Sequence, residues 1–276
     1  MSHFSCMVIG GEIEEQLAPY DESKRLDIPV ITGEVSEEDK QIMIGYYKEK
    51  GVEYPTFDEL YAEKGENWNC NLWVKRDDKW VKMSDYNPQS KWDWYKLGGR
   101  WSNFLKLKEG AEGTMGETIK KNIDVDGMRN DAEESAGIYY DKVMSFIKDT
   151  PIPTKWSDFI ERVESGEITI EIAKILYNEQ PRLKSINTNE AIKELGFMVD
   201  IEEFEVTREE YSQKRRNSAL STYAIVKDGE WFQKGEMGWW GMSSDEMTQE
   251  EWNKKQTEMF DELPDDTLIS IIDCHI

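Results

Sequence analysis

The chain opens and closes on short apolar runs, HFSCMVIG (3–10) and TLISIIDCHI (267–276), and this constrains its fold more than any other feature. Each run has few polar positions over the length of one strand, the pattern of a strand covered on both faces. Gly10–Gly11 stops the first run, and the turn signal LPDD precedes the second. Two such runs at opposite ends of a chain are predicted to lie side by side in one central sheet.

Other segments fill in around that pair. LWVKRDDKWVKM (72–83) reads as a hairpin turning at Arg76–Asp77–Asp78–Lys79, and YAIVKDGEWFQKG (223–235) as one turning at Asp228–Gly229. FLKLK (104–108) alternates like a strand, and GAEGTMGE (110–117) reads as a flexible connector. Ser36 with Asp39, Thr207 with Glu210, and Ser243 with Glu246 have the spacing of helix-opening boxes for helices over 37–50, 208–216 and 245–262. The stretch 126–149 carries an apolar stripe through Met128, Ala132, Ala136, Tyr139, Val143 and Phe146, and Pro151 stops it. Residues 155–195 read as two or three short helices broken at Gly166 and Pro181. The expected class is α+β, with a central mixed or antiparallel sheet that contains both terminal strands. In domain terms, 1–123 and 217–276 form the sheet core, and 124–216 is a mainly helical insertion packed on it.

Charge then narrows the partners. The formal net charge is −23, which repels nucleic acid and anionic membranes and makes direct nucleic-acid binding an unfavourable reading. Cys6, Cys70 and Cys274 are odd in number and widely spaced, so they imply no disulfide framework and point to a reducing compartment. The N-terminus lacks a basic region ahead of its apolar run, and no run approaches a membrane span. A cytoplasmic protein is expected.

Against this acidic background one segment stands out. Residues 71–108 hold nine Lys/Arg against four Asp, a net +5 that leaves −28 for the rest, together with five of the eleven tryptophans. Its densest part is KWDWYKLGGRW (91–101). Cations among indole faces suit a ligand flat at one end and anionic at the other, because bases stack on indoles and arginine grips phosphate in two-pronged fashion. Trp92, Trp94, Tyr95, Trp101, Gly98, Gly99 and Arg100 are the candidate ligand-binding residues. Trp239 and Trp240 of GEMGWWGM (235–242) would form an opposite wall or a hydrophobic plug. The packing reading stands beside this one: tryptophan at alternating strand positions fills cores, and lysine lies over apolar surface.

The only histidines, His3 and His275, sit one near each end, so adjacent terminal strands would bring them together. Asp273 and His275 share a strand face and could act as an acid–imidazole pair, and Ser5 shares a face with His3. A zinc site from His3, Cys6, Cys274 and His275 fits poorly, since these positions alternate between strand faces. No metal or cofactor is expected, and no familiar catalytic motif occurs.

Four passages, MSHFSCMVIGGEIEEQLAPYDE (1–22), YNPQSKWDWYKLGGRW (86–101), GEMGWWGMSSDE (235–246) and LPDDTLISIIDCHI (263–276), resemble an uncharacterised family of tailed-phage and prophage accessory proteins. The resemblance implies a protein acting in a host bacterial cytoplasm, and it carries over no catalytic residue. Three readings follow. The first is non-catalytic binding of a small anionic, nucleotide-like ligand, used to counter host defence. The second is an acidic inhibitor or DNA mimic directed at a host protein. The third is an enzyme acting on such a ligand through Asp273 and His275.

Overall fold

The computed structural model describes residues 2–64, 72–196, 199–237 and 243–276. In chain order its strands are β1 (His3–Ile9), β2 (Arg25–Glu34), β3 (Leu72–Arg76), β4 (Lys79–Tyr86), β5 (Trp94–Leu97), β6 (Glu117–Ile119), β7 (Ala224–Lys227), β8 (Glu230–Gln233), β9 (Glu236–Met237), β10 (Ser243–Ser244) and β11 (Leu268–His275). The α-helices are α1 (Ile13–Leu17), α2 (Glu37–Glu49), α3 (Phe57–Lys64), α4 (Val125–Ile147), α5 (Trp156–Glu164), α6 (Ile170–Asn178), α7 (Pro181–Ile186), α8 (Asn189–Leu195), α9 (Arg208–Asn217) and α10 (Gln249–Asp261). The chain divides into two compact units: a smaller one of 1–3, 12–95 and 274–276, and a larger one of 4–11 and 96–273.

The larger unit is built on a mixed sheet in the order β5-β11-β1-β7-β8, with β6 paired to β11. The fold class is α+β, as the sequence predicts, and the terminal strands are neighbours. Gly10 N–H donates to Leu268 O at 2.8 Å, while in the smaller unit Ser2 and Ile276 exchange backbone bonds at 3.3 and 3.1 Å, so β1 and β11 run antiparallel. All residues of β11 after Leu268 are buried, and so are all of β1 after His3, which is why both runs are apolar without alternation. β1 pairs in parallel with β7, which turns back into β8 through Asp228 (φ 55°) and Gly229 (φ 77°). Met7, Ile9, Ile225, Ile269 and Ile271 from the sheet meet Trp252 and Phe260 of α10 and Met128 of α4 in one core.

The helices α4–α9 occupy the stretch expected to be helical. Ala136, Val143 and Ile147 of α4 form a second core with α7, α8 and Tyr211 of α9. Met128 at the start of α4 belongs to the sheet's core instead, so one helix serves both cores. Residues 12–95 group apart. They carry their own three-stranded sheet, in the order β2-β4-β3, and a core of Val35, Met43, Tyr54, Phe57, Leu60, Trp73 and Trp80. Their hairpin turns through Asp77 (φ 46°) and Asp78 (φ 62°), as read from the sequence.

Several local expectations need correction. FLKLK is not a strand: Leu107 makes an isolated bridge to Ile123, while consecutive Phe104 and Leu105 both join the core, which defeats alternation. GAEGTMGE is a tight, ordered turn in which Thr114 and Glu117 exchange backbone bonds at 2.8 and 3.2 Å ahead of β6. Residues 155–195 form four helices: the breaks near Gly166 and Pro181 are present, with Pro181 opening α7, and a further break at Asn187–Thr188 starts α8 under the Thr188 cap. Ser243 does not open α10. Its hydroxyl does donate to one oxygen of Glu246, whose other oxygen pairs with Lys234 at 2.9 Å, but Ser243 lies in β10, and the box that opens the helix is Thr248 with Glu251. The boxes at Ser36–Asp39 and Thr207–Glu210 are formed. Among the described residues, no helix is long and apolar enough to cross a membrane.

Candidate functional site

The segment KWDWYKLGGRW spans the division between the units, and its residues have separate settings. In the smaller unit Trp92 is a packing residue, 7% exposed. Its Nε1 donates to Leu17 O at 3.2 Å, and its ring meets Tyr95 edge to face at 5.0 Å. Burial first, then the nearby Glu14 and Cys274, hold the Tyr95 hydroxyl above its ordinary pKa. Tyr95 therefore stays a neutral phenol.

Trp94 differs, with 44% of its surface exposed. Its ring lies nearly parallel to the imidazole of His275, with centroids 5.1 Å apart and planes at 16°. His275 is 5% exposed, and its Nδ1 is 2.6 Å from Oδ1 of Asp93. Its Nε2 is buried and has no hydrogen-bond partner among the described residues. His3 stands edge-on to both rings, 5.0 Å from His275 and 5.3 Å from Trp94. The two histidines thus meet, as the pairing of the terminal strands implies.

The acid of the pair is not the expected one. Two residues along a strand lie about 7 Å apart, beyond hydrogen-bond reach, although they share a face. His275 is engaged by Asp93, whose own N–H donates to His275 O at 3.0 Å and fixes the register. In the larger unit Asp273 accepts the backbone N–H of Arg100 at 3.0 Å instead. The sequence reading missed Asp93. An available signal was its position in WDW, an acid flanked by two indoles just ahead of β5.

The rest of the segment belongs to the larger unit. Gly98 (φ 67°) and Gly99 (φ 51°) carry the chain through a turn that brings the Arg100 amide to Asp273. The Arg100 side chain is exposed, and its guanidinium pairs with no carboxylate and stacks on no ring among the described residues. Trp101 is partly buried against the sheet's core. Trp239, Trp240 and Cys70 lie outside the described residues. Cys6 and Cys274 are fully buried, and among the described residues no group of three or more His, Cys, Asp or Glu is placed to hold a metal.

The positive charge of 71–108 is largely neutralised locally. Lys75 pairs with Asp58 at 3.0 Å, Lys79 with Glu34 at 2.7 Å, Lys82 with Asp39 at 2.9 Å and Lys106 with Asp131 at 2.6 Å. A separate cavity of about 530 Å³ lies in the larger unit between α4 and α9, lined by Glu133, Glu134, Arg208, Glu209 and Ser212 among others. It is an open acidic groove with no imidazole. The orphaned imidazole nitrogen marks the better candidate site.

No family model, curated protein or solved structure matches this chain. Its function is accordingly argued from the geometry of the site.

Proposed function

We propose that the protein binds a small planar, anionic molecule of nucleotide-like class at the cluster of Trp94, His275, Asp93 and His3, without catalysing its conversion. One observation carries this reading: a buried imidazole is held rigidly by a carboxylate, leaves its second nitrogen unpartnered and lies under a half-exposed indole. An unsatisfied buried polar nitrogen costs about 1–3 kcal/mol, a cost relieved when a ligand supplies the missing partner. Trp94 is 44% exposed and gives a planar molecule aromatic surface to cover beside the imidazole. In the phage accessory setting that the sequence resemblance implies, withdrawing a nucleotide-derived signal would counter host defence.

The Asp93–His275 pair also favours a second reading, general acid–base catalysis on the same ligand, since a carboxylate on Nδ1 leaves Nε2 as the proton acceptor. Native mass spectrometry of the purified protein, beside the extract of denatured protein, tests the first reading. The expected result is a non-covalent adduct of nucleotide mass, released intact on denaturation and absent from Trp94→Ala. A chemically altered product in place of the intact ligand would support the enzyme. A protein that carries nothing and takes up no added nucleotide would overturn the binding site altogether.

A further inference from the structure

The groove of about 530 Å³ between α4 and α9, wholly within the larger unit, has charges that are only partly matched. Arg208 Nε donates to both oxygens of Asp141 at 2.9 and 3.0 Å, and Arg216 donates to Asn130 and Glu133 at 2.6 and 2.8 Å. Position 208 thus meets 141 while 216 meets 130 and 133, so the helices are antiparallel. Residues 208, 212 and 216 form the row of α9 that faces α4. Ser212, midway along that row, lines the groove and is 4% exposed. Its Oγ has no hydrogen-bond partner among the described residues, an unfavourable state for a buried hydroxyl. Glu134 and Glu209 line the same groove, and neither carboxylate has an ion-pair or hydrogen-bond partner among the described residues. By the antiparallel register Glu134 lies toward the Arg216 end and Glu209 toward the Arg208 end. Ser212 and the 61% exposed Ile138 fall between them.

We infer that this groove binds a linear aliphatic polyamine. Its end ammonium groups meet Glu134 and Glu209, an inner N–H is accepted by Ser212 Oγ, and its methylene groups cover Ile138. The volume lies within the range of small-molecule sites, about 300–1,000 Å³. A metal ion is the poorer occupant, because among the described residues no group of three or more His, Cys, Asp or Glu is placed to hold one. A lysine side chain of another protein offers a single ammonium and cannot meet both carboxylates. The positive end of the α9 dipole does not oppose a cation here, since Glu209 and Glu210 in its first turn offset it. Arg208 is likewise neutralised by its two bonds to Asp141.

Isothermal titration of the full chain at low salt with spermidine, octanediamine, butylamine and magnesium chloride tests the inference. Spermidine is expected to bind saturably at one site. Octanediamine, which matches its length but lacks the inner nitrogen, should bind about threefold to tenfold more weakly, and butylamine about tenfold more weakly again. Magnesium at equal concentration should not displace spermidine. Ser212→Ala removes no charge and should bring spermidine down to the level of octanediamine. It should not lower the melting temperature, because the lost hydroxyl has no protein partner and alanine favours a helix. Glu134→Gln should weaken spermidine by about tenfold, whereas Glu164→Gln, the same charge change at an exposed position on α5, should alter it by less than about twofold. The ranking on the unmodified protein needs no variant to fold. Spermidine binding unchanged by Ser212→Ala, or weakened equally by Glu134→Gln and Glu164→Gln, would reduce the effect to diffuse counter-ion attraction and overturn the site. Absence of saturable spermidine binding, displacement by magnesium, or a clearly lowered melting temperature in Ser212→Ala would overturn it as well.

Discussion

A Cβ added to Gly99 would lie 2.4 Å from the Cβ and Oδ2 of Asp273, a separation that real Cβ atoms essentially never show. The residue also sits at φ 51°, in the left-handed region that costs an L-residue about 1–2 kcal/mol. The obstructing atoms belong to a buried strand and cannot swing aside. Gly99→Ala is therefore expected to destabilise the protein by about 2–4 kcal/mol, strain and overpacking together, measured as a lowered denaturant midpoint. A variant as stable as the parent would mean that Asp273 can move. The glycine pair was legible in sequence as a place of close backbone approach, but what approaches is the chain's own carboxylate. Asp93 and Asp273 show why the site was only half legible. Both are acids near aromatic or imidazole residues, and only the cross-strand register decides which one meets His275.

Elements were legible where their signals were local and redundant. β1 and β11 announce themselves because burial on both faces demands apolar residues throughout, and the aspartate turns announce themselves through positive φ. The false helix start at Ser243 arises because two boxes of identical spacing lie five residues apart, and the placing of Ser243 in β10 chooses between them. Among the true boxes, Ser36–Asp39 makes a pH-dependent one. A hydrogen bond from Lys82, then those from the Ser36 hydroxyl and amide, lower the Asp39 carboxyl from 3.8 to about 2. A folded-state pKa below the unfolded value adds stability that is complete above the unfolded value and lost as pH falls through the folded one. The stability difference between the parent and Asp39→Asn should then be constant above about pH 5, shrink from about pH 4 downward and vanish only below about pH 2. Denaturation curves of both proteins across that range would show it. A difference that grows on acidification would mean that Asp39 does not act as an ionised cap.

At the scale of the whole molecule, class and charge were legible, but the division into units was not. The hairpin 72–86 and the helices α2 and α3 close a core of their own, and nothing in composition separates that core from the sheet core. Long-range contacts alone do. Charge acts on the entire chain, and two effects of salt oppose each other. Exposed ion pairs such as Arg162–Glu167 at 2.7 Å and Arg215–Glu203 at 2.6 Å weaken when salt is added. Each is worth about 0–1 kcal/mol at most, so their summed loss is small. The excess of 23 negative charges, by contrast, repels itself in the compact state, and salt with a Debye length near 10 Å at 0.1 M suppresses that repulsion. Repulsion should dominate, because the excess is shared by every exposed carboxylate while the pairs involve only some of them. The melting temperature is expected to rise by about 3–6 °C between 10 and 200 mM NaCl, equivalent to roughly 1–2 kcal/mol for a chain of this size. A flat or falling melting temperature across that range would show that the ion pairs outweigh the net charge.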